Sequence, residues 1–189
     1  ILHHSWNEPE REETILQNLI SRRVDGIFLS PVYRMESEVA VYQELKKRGI
    51  PTVIMGPLAE FCGDFVNVQT LGNESAFSMT QHLIDLGHKR IAFFAGPRFS
   101  ARAISRQEGY QRALRENGLE EDPSLVFNGG TTIIEGSNAA KHFLEEKTQA
   151  TAIQTVNDLV AIGAANVFLD HGLKIPDMLS IAGFGNILS

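Results

Sequence analysis

The sequence predicts an α/β fold with parallel sheets flanked by helices, and three observations carry that prediction. Short apolar runs alternate along the chain with segments whose apolar residues recur every three or four positions. Several runs stop at glycine or proline, as at Ser30-Pro31, Gly56-Pro57, Gly96-Pro97 and Gly129-Gly130. The best-defined run, Ile91-Ala92-Phe93-Phe94-Ala95, is apolar throughout, the pattern of a parallel strand covered on both faces. Regular strand-helix alternation then argues for parallel sheets joined by right-handed crossovers.

Residues 1–4 read as the tail of a strand, and residues 8–22 as a helix with Asn7 as cap, Pro9 in its first turn and acidic residues near its start. Ile15, Leu16, Leu19 and Ile20 form its inward face. Asp25-Gly26 turns into the strand 27–29. Val39, Ala40, Tyr42 and Leu45 recur at helical spacing within 36–48, and Gly49 closes that helix before the strand 52–55. Residues 57–63 are the least regular stretch. Residues 65–68 alternate as a strand, and a helix from about Asn73 runs to Leu86, where Gly87 closes it and His88, Lys89 and Arg90 place positive charge at its end. Beyond the strand 91–95, a helix starts at Ser100 or Ala103 and ends at Asn117. The remaining elements are a strand at 125–127, a helix over 135–146, a strand at 152–155, a helix from Asn157-Asp158 to about His171, and a strand at 180–183. The expected lobes are residues 1–67 and 68–189.

Composition excludes several classes of function. The 189-residue chain carries a formal net charge of −6, with its basic residues scattered, so it lacks the positive face of a duplex-binding domain. One cysteine, Cys62, rules out an intrachain disulfide framework and fits a reducing compartment. No apolar run reaches membrane-spanning length. His3 and His4, adjacent on a strand, point to opposite faces and cannot share a metal, and the other histidines lack zinc-ligand spacing. No phosphate-loop, dinucleotide or nucleophile-elbow motif is present, so neither a cofactor nor catalysis is expected.

An ordered set of phrases resembles the effector-binding core of the LacI/GalR family of bacterial transcription regulators. They are Pro9-Glu10-Arg11-Glu12, Ser21-Arg22-Arg23-Val24-Asp25-Gly26-Ile27, Gly49-Ile50-Pro51-Thr52-Val53, His82-Leu83-Ile84 and the stretch 86–97. Arg106-Gln107-Glu108-Gly109-Tyr110, Asn157-Asp158-Leu159-Val160-Ala161-Ile162-Gly163 and Ile181-Ala182-Gly183-Phe184 complete the set. The resemblance spans essentially the whole chain. It implies a two-lobed, periplasmic-binding-protein-like type I fold with a small molecule, a sugar or related metabolite, in the cleft between lobes. It also implies a homodimer, a cytoplasmic location, and operator DNA bound only through a helix-turn-helix domain outside this chain. The chain is expected to be truncated at both ends, beginning inside the family's second strand. A solute-binding protein of a sugar transporter is the alternative reading.

Candidate ligand contacts follow from the rule that ligands sit past the carboxyl ends of strands in open α/β sheets. Arg106 matches the family's cleft arginine, and guanidinium offers forked donors to hydroxyls, carboxylates or phosphates. The bland alternative is a solvated helix arginine paired with Glu108 or another neighbour. Arg98 and Ser100 lie in the same post-strand loop. Asn157 and Asp158 match the family's Asn-Asp, although both residue types also serve as helix caps. Ser30 and Trp6 follow first-lobe strands, Trp6 as an apolar wall for a sugar ring. Gly185 stands where many family members carry an acid, with Asn186 as a substitute. The pocket is therefore expected to be less acidic and to favour an effector with an acidic or strongly accepting group.

Overall fold

The computed structural model describes residues 1–6, 8–32, 34, 36–56, 59–98 and 100–187. The chain divides into two compact units, Ile1–Thr70 and Leu71–Ser189. The division falls a few residues past Asn67 because Val68 pairs with Met55 in the first unit's sheet.

The first unit runs α1 (Pro9–Ser21), β1 (Ile27–Leu29), α2 (Ala40–Lys47), β2 (Thr52–Met55), a short 3-10 turn (Glu60–Cys62) and β3 (Val66–Val68). Its strands pair in parallel in the order β1-β2-β3, with Phe28 opposite Val53 and Val53 opposite Val66. Side chains alternate across a sheet, and here the two faces have different fates. Ile27 and Ile54 pack with Leu16 and Ile20 of α1 and with Tyr42 and Leu45 of α2. Phe28 and Val66, in register on the opposite face, are 76% and 68% exposed.

The second unit runs α3 (Gly72–Asp85), β4 (Ile91–Ala95), α4 (Ala101–Glu116), a 3-10 turn (Pro123–Leu125), β5 (Val126–Asn128), α5 (Ile133–Glu145), β6 (Ala152–Thr155), α6 (Asp158–Asp170) and β7 (Ser180–Ala182). Its parallel sheet has the order β5-β4-β6-β7. Alternate residues of the fully buried β4 enter different cores. Ile91, Phe93 and Ala95 join Leu83 of α3 with Tyr110 and Leu114 of α4, whereas Ala92 and Phe94 join Ala140 and Phe143 of α5 with Ala164 and Phe168 of α6. Each large side chain so buried contributes about 1.5–3 kcal/mol.

The helix pairs on these faces cross closely because glycines permit it. A β-carbon on Gly109 of α4 would lie 2.1 Å from the Asn73 carbonyl oxygen of α3, and one on Gly163 of α6 would lie 2.0 Å from that of Ile133 of α5. Neither position accepts any side chain without the helices moving apart.

Several boundaries differ from the sequence reading for identifiable reasons. Residues 1–4 form no strand: Ile1 and Leu2 are exposed and make no ladder with β1. The Asn7 cap lies outside the described residues. The second helix begins at Ala40, not at 36, because Val39 is extended and buries its side chain in the core. In the fifth, Glu135 is the third helical residue of a capping box closed by Thr132, so the helix starts two positions earlier than expected.

Candidate functional site

The second unit's strand order marks a topological switch point. From β4 the chain passes to β5 on one side and then to β6 on the other, so the connections diverge between β4 and β6, the place where open α/β sheets bind ligands past their strand ends. Four loops reach this edge, and they hold Arg98 and Ser100 after β4, Thr131 and Thr132 after β5, Asn157 and Asp158 after β6, and Phe184 to Asn186 after β7.

Arg106 links two of these strand ends, those of β6 and β7. It is half-buried in the second turn of α4, its Nη1 donates to the Val156 carbonyl oxygen just past β6, and its guanidinium lies 4.1 Å from the centre of the Phe184 ring just past β7. Its partners are thus a strand-end carbonyl and an aromatic face, in place of the solvated pairing with Glu108. Burial and the nearby Arg102 lower its pKa, with Asp158 opposing them. Its Nε has no protein partner among the described residues.

The capping reading is realised for Asn157 and not for Asp158. Asn157 caps α6 by accepting from the Val160 amide at 2.8 Å, and its Nδ2 donates to the Thr131 carbonyl oxygen at 3.0 Å, tying the loops after β5 and β6. Asp158 holds the final loop: its amide donates to the Phe184 carbonyl oxygen at 2.9 Å, and its Oδ2 accepts from the Ile187 amide at 3.0 Å. A β-carbon at Gly183 would fall 2.5 Å from Asp158 Oδ1, and Gly185 sits at φ +134 with Asp158 Oδ2 beside it. Glycine at 185 therefore allows both the turn and the approach of Asp158. Asn186 is exposed and left-handed, φ 54. Ser100 caps α4 by accepting from the Ala103 amide at 3.3 Å, and Arg98 is exposed in the preceding turn.

In the first unit, Ser30 is exposed past β1 and lines a groove of about 890 Å³ between residues 1–5, α1 and the free edge of β1. Trp6 is 64% exposed, left-handed at φ 56, with its ring 4.4 Å from that of His4. The loop after β1 is pinned by a side chain that sequence reading did not single out. The buried carboxylate of Glu12 accepts from the Val32 amide at 2.5 Å, from Arg34 Nη2 at 2.8 Å and from the Tyr42 hydroxyl at 2.8 Å. Burial, reinforced by that carboxylate, keeps the Tyr42 phenol neutral well above its usual range. Phe184 was visible only as part of a family phrase, and nothing in the sequence marked it as the platform under Arg106.

Comparison with known proteins fits this geometry. Residues 4–187 match the family described as periplasmic binding proteins and sugar binding domain of the LacI family. Catabolite control protein A of Priestia megaterium is 35% identical over 98% of this chain and 55% of its own length. The crystal structure of transcription regulator CcpA of Lactococcus lactis superposes with a TM-score of 0.81 at 32% identity, covering 98% of this chain and 66% of that one. A transcriptional regulator CelR-cellobiose complex superposes at 0.80 with 29% identity, covering 92% and 53%. The chain spans about half the length of the curated relatives it matches. The sequence phrases, the doubly wound sheet and the family match agree: this chain belongs to the family that unites periplasmic binding proteins with the sugar-binding domain of LacI-type proteins.

Proposed function

We propose that this chain is the ligand-sensing domain of a LacI-type transcription regulator, acting in the cytoplasm as a homodimer. A small molecule, a sugar or related metabolite, binds at the carboxyl edge of the second unit's sheet. Its binding alters the affinity of a separate helix-turn-helix domain for operator DNA. The observation that carries this reading is Arg106, a partly desolvated guanidinium at the strand-order switch, stacked on Phe184 and keeping donors to spare. The relatives' names favour regulation over transport.

Arg106 is the direct ligand contact, with Arg98, Ser100 and Asn186 on neighbouring loops. Asn157 and Asp158 use part of their hydrogen-bonding capacity to shape the site and present the rest to the effector. Whether the first unit takes part is read from Ser30→Ala and Trp6→Ala. A bound effector changes DNA affinity only by binding two conformations unequally. The test is native mass spectrometry of the full-length protein purified from its source, followed by operator titration with and without the copurifying molecule. A shift in operator affinity is expected. A full-length protein that carries an export signal and no helix-turn-helix would replace regulation with solute delivery.

A further inference from the structure

Tyr110, Arg106 and Arg102 form one row of α4, each a helical turn from the next. Tyr110 anchors the row beneath the site, its ring stacked on Phe93 at 5.0 Å and its hydroxyl donating to the Ile91 carbonyl oxygen at 2.8 Å. One turn nearer the helix start, Arg106 has reached the end of the sheet at Val156 and Phe184. Arg102, a turn further, is exposed past the strand ends, and Arg98 lies in the turn that leads into the helix. The amino end of α4, with its partial positive charge, points the same way.

This edge is cationic in a chain whose net charge is −6. Two carboxylates reach it among the described residues: Asp158, which accepts from the Ile187 amide and partly offsets the charge of Arg106, and Glu135, which accepts from the Thr131 and Thr132 amides; Arg98, Arg102 and Arg106 outnumber them. Two guanidinium groups one turn apart repel each other, and burial of Arg106 strengthens that repulsion by removing water that would screen it. An anion placed between them relieves it.

Resting on the reading that the effector binds at this edge, we propose that Arg102 and Arg106 together receive an anionic oxygen group of the effector, a phosphate ester or a carboxylate. Arg106 is the seated, directional donor. Arg102 is the residue that selects charged over neutral ligands, through hydrogen bonds to the ionised oxygens that a neutral hydroxyl makes more weakly.

The test titrates the chain with inorganic phosphate, with gluconate and with glucose at constant ionic strength, following the guanidinium Nε–H resonances of both arginines by NMR. Phosphate or gluconate should shift both resonances saturably, and glucose should bind about tenfold more weakly or worse, as expected for losing a charge-assisted hydrogen bond. Arg102→Gln, at an exposed position that leaves folding intact, should weaken the anion about tenfold and leave glucose unchanged, while Arg102→Lys restores part of the loss. Response to phosphate alone assigns a phosphate ester, and response to gluconate alone a carboxylate. The proposal is overturned if neither anion gives a saturable shift, if Arg102→Gln binds them as tightly as the parent chain, or if glucose binds best. In that last case effector binding at this edge still stands. Saturable anion binding with no effect on operator affinity in the full-length protein would instead remove the regulatory reading and leave the anion site.

Discussion

The two sheets of this protein bury their strands differently, and the difference is written in the side chains that alternate along them. In the second unit every residue of β4 is buried, because α3 and α4 cover one face and α5 and α6 the other. In the first unit, α1 and α2 pack on the face of Ile27 and Ile54, while Phe28, Val66 and Val68 on the other remain exposed. The polar interior differs as well. The first unit anchors the loop past β1 with a buried carboxylate, whereas the second holds its loops with helix caps and a half-buried guanidinium. Two units of one chain thus reach similar strand-helix layouts with unequal reliance on apolar packing.

The largest expected effects separate the two sheets directly. Phe94→Ala should destabilise by about 3–5 kcal/mol through lost transfer energy and the cavity left behind, whereas Phe28→Ala, at a residue 76% exposed, should stay within about 0.5 kcal/mol. Chemical denaturation of both variants checks this, and equal losses would break the distinction between the sheets. A smaller cost, about 2–3 kcal/mol, falls on Glu12→Ala, because the Val32 amide and the buried Tyr42 hydroxyl lose their acceptor while Arg34 keeps Glu13 and the Pro9 carbonyl oxygen. Its readout is denaturation together with the amide shift of Val32. A mild effect would show that the bonds of Arg34 to Glu13 and Pro9 suffice to hold the loop.

The smallest effect concerns Glu135, whose carboxyl is held below the usual carboxylate range first by the Thr131 amide and then by the Thr132 side chain. A lowered folded-state pKa gives stability that is complete above the unfolded-state value, about 4.3 for Glu, and lost as pH falls through the folded-state value. Because Glu135 is exposed and screened by solvent, Glu135→Gln should cost no more than about 0.5 kcal/mol at pH 7, and the difference from the parent should close in acid. Unfolding curves at neutral and acid pH measure it, and a pH-independent difference would assign the effect to something other than the charge.

These contrasts also explain what was legible in the sequence. β4 was plain because two-sided burial requires an unbroken apolar run, and Arg106 and the Asn157-Asp158 pair were located by family phrases that the structure places on one edge. The start of α5 was missed because Thr132 and Glu135 carry information only as a pair. Glu12, Arg34 and Tyr42 meet across separations of 22 and 30 residues, which no local pattern reports. Phe184 and the Val156 carbonyl became visible as partners of Arg106 only once the ends of β6 and β7 were placed side by side. Gly109 and Gly163 appeared in those phrases without a reason, and close helix crossing supplies it.

The role proposed for Arg106 is to hold the effector at the carboxyl edge of the second sheet. Its most direct test is calorimetric titration of the compound that copurifies with the full-length protein into the parent, Arg106→Ala and Arg106→Lys, with circular dichroism as the folding control. Loss of the Val156 contact should cost about 1 kcal/mol of stability and leave the fold intact. Effector affinity should fall by about 1.5–3 kcal/mol in the alanine variant, with only partial recovery in the lysine variant, which cannot reproduce the fork. An unchanged affinity in folded Arg106→Ala would move the site away from this residue.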